Sequence, residues 1–110
     1  MKTRMEVGAY GEDVACAYFE SKGFCVKHRN FRIGHLETDI ICEDDEHIVF
    51  AEVKTRSEGI SARYGSARDA VDVKKLARLK ESVYLYMRMH GVKKIPRIDV
   101  VEVYLRTGKV

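Results

Sequence analysis

The chain has 110 residues, 45% hydrophobic and 34% charged, with a formal net charge of +3. That length supports one compact domain over residues 1–110, and the composition excludes a disordered chain. Three cysteines without CxxC spacing, four histidines without zinc spacing and the lack of a long apolar run exclude a disulfide scaffold, a zinc module and a membrane span. The expectation is a cytoplasmic protein with no membrane partner, in which Cys16, Cys25 and Cys42 are reduced, half-buried thiols among apolar neighbours.

Residues 8–22 predict a first helix, with Val14, Ala15, Tyr18 and Phe19 as its apolar stripe and Gly23 as its terminator. Residues 24–29 alternate enough for a first strand, closed by a turn at Asn30. Residues 36–42 and 47–55 predict two more strands, joined by an acidic, solvated turn over residues 43–46. Residues 56–65 read as a flexible basic loop. Ser66 and Asp69 then form a variant of the capping box and open a long helix to His90. Its buried side carries Val71, Leu76, Leu79, Val83 and Met87, and Gly91 ends it. Pro96 marks a boundary before a last strand over residues 97–106, where Val100, Val101 and Val103 favour β structure. The order is α-β-β-β-α-β, an α/β fold with a mixed sheet flanked by helices.

Charge is unevenly spread. Residues 35–52 hold seven acids (Glu37, Asp39, Glu43, Asp44, Asp45, Glu46, Glu52) and no Lys or Arg, while residues 54–90 hold nine basic residues against four acids. An acidic patch beside a basic region suits a protein that holds a cation and a polyanion together.

The acids gain meaning from the hairpin. A tight turn centred on Asp44 and Asp45 pairs Cys42 with His47, Ile40 with Val49, Thr38 with Ala51 and Leu36 with Val53. That face is apolar. Alternation sends His35, Glu37, Asp39, Phe50, Glu52 and Lys54 to the other face, with Glu52 across from Glu37 and diagonal to Asp39. Clustered carboxylates resist joint ionisation unless a cation lies among them. A hard ion, Mg²⁺ or Mn²⁺, takes such oxygen ligands and keeps waters, one of which can attack a phosphodiester. Lys54 shares the face and can orient that water or neutralise charge on the phosphate. The competing structural reading is a salt bridge from Lys54 to Glu37 or Glu52. Glu12, early in the first helix, is a third candidate ligand if that helix overhangs the hairpin; otherwise it is only a favourable partner of the helix dipole.

Arg56, Arg63, Tyr64 and Arg68 lie on the basic loop or helix entry, and Lys74 and Arg78 are one turn apart on one helix face. Of these, Arg56, Arg68, Lys74 and Arg78 are the candidate phosphate contacts, against the alternative that they are solvated surface.

The segments Gly11-Glu12-Asp13-Val14-Ala15, Gly23-Phe24, Arg29-Asn30-Phe31-Arg32, Glu37-Thr38-Asp39, Phe50-Ala51-Glu52-Val53-Lys54-Thr55-Arg56 and Arg97-Ile98-Asp99-Val100 resemble the YraN-like family of small bacterial proteins. The resemblance spans nearly the whole chain. It implies a restriction-endonuclease-like fold, distant similarity to archaeal Holliday-junction resolvases, and a PD-(D/E)xK core of Asp39, Glu52 and Lys54. It also supports Glu12 as a helix-borne acid near the metal and Glu37 as an accessory acid. This chain departs from the family's glycine-glutamate-isoleucine-aspartate segment, with Leu36 for the glycine and Thr38 for the isoleucine.

The implied activity is metal-dependent hydrolysis of DNA, including branched or repair intermediates. The alternative is a non-catalytic nucleic-acid-binding module that keeps the nuclease fold. A chain this small carries one site, and cutting both strands needs two, so a homodimer is expected.

Overall fold

The computed structural model describes residues 4–56, 73–105 and 110. Helix α1 (Arg4–Ser21) precedes strands β1 (Cys25–Ile33), β2 (Leu36–Glu43) and β3 (His47–Arg56); helix α2 (Val73–His90) and strand β4 (Ile95–Tyr104) follow. The expected order α-β-β-β-α-β is observed. The expected basic loop and helix entry, with Arg63, Tyr64, Ser66, Arg68, Asp69 and Val71, lie outside the described residues. Among the described residues no helix is long and apolar enough to cross a membrane.

The strands form one sheet in the order β1-β2-β3-β4. The first three pair antiparallel and β4 runs parallel to β3. Parallel neighbours need a long crossover, and α2 belongs to it. Strand alternation then divides the core. Ile40, Cys42, Val49 and Ala51, with Val101 and Val103 of β4, pack under Ala15, Cys16 and Phe19 of α1. Ile41, Ile48 and Phe50 point the other way, onto Tyr86 of α2. Both sheet faces are therefore covered, and Phe50 belongs to a core rather than to a polar face.

Helix α1 starts at Arg4, about one turn earlier than expected, and its buried stripe is Ala15, Cys16 and Phe19; Tyr18 is 37% exposed. Its end follows the expectation. Gly23 has φ 91°, its N–H donates to the Glu20 carbonyl at 3.1 Å, and the Phe24 N–H donates to the Phe19 carbonyl at 3.0 Å. This is a Schellman closure, sealed by edge-on contact of the Phe19 and Phe24 rings at 5.9 Å.

Gly11 is buried where α1 meets β3, and a Cβ there would collide with Thr55 Oγ1. At Gly8 a Cβ would meet nothing within 4 Å. Gly11→Ala is therefore expected to cost about 1–3 kcal/mol by overpacking. Gly8→Ala is expected to stabilise by up to about 1 kcal/mol through helix propensity alone. Urea midpoints moving in opposite directions would check both.

Strand β1 does not stop at Asn30. It continues to Ile33 because Asn30 adopts φ 52° within the strand, a conformation asparagine tolerates. The reversal falls instead at Gly34, with φ 60°. A register shift between Val26 and His28 brings His28 to Tyr86, 3.2 Å from its hydroxyl. Cys16 and Cys42 are buried, but Cys25 is exposed at the start of β1, against expectation.

In α2 the fully buried residues are Leu79, Ser82 and Tyr86. Val83 and Met87 pack at the margin, and Leu76, expected inside, is 38% exposed. Gly91, φ 60°, ends this helix as expected. Pro96 is not a boundary but the second residue of β4.

Candidate functional site

The hairpin register differs from the expected one by two residues along the partner strand, because the turn centre moves by one. The ladder pairs Ile40 with Ala51, Ile41 with Phe50, Cys42 with Val49 and Glu43 with Ile48. The cause lies in Asp44. Its carboxylate accepts the Glu46 N–H at 2.9 Å and the His47 N–H at 2.6 Å, which moves the turn onto Asp45 and Glu46. A shift of this kind keeps each side chain on its face. It changes who meets whom: counted on from Ile40 and Ala51, Asp39 and not Glu37 lies opposite Glu52.

The recorded ladder ends at Ile40–Ala51, and there the Asp39 side chain takes over. Its Oδ2 accepts the Val53 N–H at 2.8 Å. Glu52 is 7% exposed. Lys54 Nζ lies 3.3 Å from Glu52 Oε1, and Lys75 of α2 reaches the same oxygen. A cleft of about 300 Å³ opens between the sheet and α2, lined in part by Glu37, Asp39, Glu52, Lys75, Arg78 and Leu79.

Burial pushes the Asp39 pKa up from 3.8 to about 6; the Val53 hydrogen bond opposes this, while the charges of Glu52, Glu12 and Glu37 add to it. Lys54 is held below the usual lysine value by burial and by its contact with Lys75, with Glu52 working the other way. Burial also works against the Lys75 ammonium. Its contacts with Glu52 and Lys54, and the charges of Glu52 and Asp39, outweigh that and raise its pKa.

The sequence-predicted residues divide as follows. Asp39, Glu52 and Lys54 come together, and Glu37 lies on the cleft wall with Oε2 3.0 Å from Arg32 Nη2. Glu12 is tied to β1: its Oε1 accepts the Asn30 amide at 2.9 Å and lies 3.5 Å from Arg29 Nη2. Its charge still acts on Asp39. Arg78 lines the cleft, and Lys74, one turn before it, is exposed. Arg56 faces Glu102, with Nε 3.5 Å from Oε1. Glu102 Oε2 in turn accepts the Tyr104 hydroxyl.

Lys75 was not foreseen. The signal was available, since positions 75, 79, 82 and 86 form one helical stripe, but the stripe through Leu76, Val83 and Met87 is the more apolar.

Among the described residues no three His, Cys, Asp or Glu side chains are grouped to hold a metal ion. Two carboxylates are a different donor set. Mg²⁺ uses one or two, completing its shell with waters and substrate phosphates. Asp39 and Glu52 fit that use: both are oxygen donors, they are adjacent across the opened ladder, and one resists ionisation beside the other.

A sequence model of the uncharacterised protein family UPF0102 matches residues 11–103. The UPF0102 protein of Syntrophomonas wolfei is 40% identical over 106 residues, covering 94% of this chain and 89% of that protein. That of Beutenbergia cavernae is 42% identical over 108 residues, covering 97% and 88%. That of Bacteroides thetaiotaomicron is 35% identical over 108 residues, covering 98% and 87%. These names give the YraN-like membership expected from the sequence and state no activity.

Proposed function

The chain belongs to the uncharacterised protein family UPF0102, and we propose that it is a divalent-metal-dependent endonuclease that hydrolyses phosphodiester bonds in DNA, branched and repair intermediates among them. The observation that carries this reading is that Asp39 and Glu52 together line one cleft, with Lys54 in contact with Glu52.

In this reading Asp39 and Glu52 hold Mg²⁺ or Mn²⁺. Bound there, such an ion would supply Lewis-acid polarisation of a phosphoryl oxygen and a more acidic water. Lys54 orients that water or donates to the phosphoryl oxygen as charge builds there. Glu12 strengthens the negative field at Asp39, and Glu37 adds to it from the cleft wall. Arg78 grips a phosphate beside the reacting one; Arg56, Lys74 and Arg68 extend the backbone contact without reading bases. Two copies of the chain supply the two sites that a double-strand cut needs.

The runner-up is a non-catalytic nucleic-acid-binding module on the same fold. It is favoured by one observation: two lysines of the chain itself neutralise Glu52. It predicts salt-sensitive DNA binding that Glu52→Gln leaves intact.

The decisive experiment is cleavage of labelled duplex, nicked, flapped and four-way DNA with Mg²⁺ and Mn²⁺, run beside Asp39→Ala. Cutting by the wild type alone is the expected result. Wild-type protein that takes up no metal and cuts nothing on the panel would sink the nuclease reading.

A further inference from the structure

One carboxylate oxygen on the cleft wall serves two ammonium groups. Lys54 Nζ lies 3.3 Å from Glu52 Oε1, and Lys75 Nζ contacts the same atom. The two lysines are held differently. Lys54 is carried by β3, two residues beyond Glu52, so its position is set by the sheet. Lys75 comes from the beginning of α2, in another layer, on an unbranched flexible stem. Its side chain keeps 36% of its surface in water, and it lines the cleft together with Arg78.

A cation that Asp39 and Glu52 held through Glu52 Oε1 would need the lone pairs that Lys75 engages. It would also meet the Lys75 charge at contact distance, where like charges repel most. A half-exposed, flexible ammonium can leave; a metal ligand on the sheet cannot.

Resting on the nuclease reading, we propose that Lys75 is a resident counter-ion of Glu52, which a divalent cation must displace before it can occupy the site. The lysine keeps the buried Glu52, beside the half-buried Asp39, tolerable while no metal is bound. It also sets the cation concentration at which the site loads. Affinity is lowered because displacement is part of every binding event.

Calorimetric titration of the full chain with MnCl₂ near neutral pH tests this in three proteins: wild type, Lys75→Met and Arg78→Met. Lys75→Met removes the competing ammonium and is expected to bind Mn²⁺ about tenfold more tightly, equivalent to about 1.4 kcal/mol. Arg78→Met removes the same charge from the same cleft but not from Glu52, and is expected to change affinity by less than about threefold. If Lys75→Met does not fold, Lys75→Gln keeps a polar tip and is expected to shift affinity in the same direction. Equal affinity in wild type and the Lys75 variant, or an equal gain in Arg78→Met, would overturn displacement and leave the metal reading standing. No Mn²⁺ uptake by wild type or by the Lys75 variants would overturn both.

Discussion

Asp39→Asn is expected to make the protein more stable and to remove its metal binding and cleavage together. The amide keeps the shape of the side chain and an oxygen that can still accept the Val53 N–H. What it removes is a charge the fold disfavours. Asp39 titrates near pH 6 in the folded chain against 3.8 ordinarily, chiefly because it is buried. The folded chain therefore binds this proton more tightly than the unfolded one. From this group alone, stability is greatest below about pH 4, falls as pH rises through about 6, and stays low above that. The full difference corresponds to at most ~3 kcal/mol, and less for a group that is only half buried. Asp39→Asn should recover about 1–2 kcal/mol at neutral pH, seen as a melting temperature a few degrees higher. The gain should vanish at about pH 4, where the wild-type carboxyl is already protonated. Mn²⁺ should raise the melting temperature of the wild type and not of the variant. Cleavage should fall on the order of a thousandfold, because several kcal/mol of charge stabilisation go with the ion. A variant that melts lower than wild type at neutral pH would show that the Asp39 charge is structural.

This opposition of stability and function explains which features could be read from the sequence. Period and alternation were enough for the element order and for placing Asp39, Glu52 and Lys54 on one side of the hairpin, because these depend only on which way each side chain points. They were not enough for distances along a face. The register rested on where the turn falls, and Asp44, by accepting two backbone N–H groups, moved it one residue on. Asn30 likewise carried β1 past the expected turn by adopting a left-handed conformation that no alternation pattern encodes. Lys75 was missed for a related reason. A lysine on the buried stripe of α2 looks like an exposed residue until a carboxylate on the sheet is seen beneath it. Each of these misses lies in a polar residue, through a local turn, a backbone conformation or a contact across layers, whereas the apolar pattern predicted the layers.

Glu52→Gln should act on stability in the opposite direction from Asp39→Asn, although both remove one negative charge from the same cleft. Glu52 is buried and is the shared partner of Lys54 and Lys75, whose side chains are 26% and 36% exposed. The neutral amide leaves two ammonium groups facing each other without the carboxylate they share. Breaking a fully buried ion pair costs about 3–5 kcal/mol. Both lysines keep access to water, so about 2–3 kcal/mol is expected here, a drop of roughly 10 °C or more in melting temperature. The loss should be largely reversed in the double variant Glu52→Gln/Lys75→Met, which removes the more mobile of the two stranded charges. A double-mutant cycle would then give a coupling between Glu52 and Lys75 of about 1–2 kcal/mol, and a much smaller one between Glu52 and Arg78. Metal binding should be lost in both Glu52 variants, so restored stability without restored Mn²⁺ uptake separates the role of Glu52 as counter-ion from its role as ligand. Should Glu52→Gln and Asp39→Asn shift the melting temperature in the same direction, the two acids would not be doing the different jobs that their surroundings imply: one held by cations, the other held against its own charge.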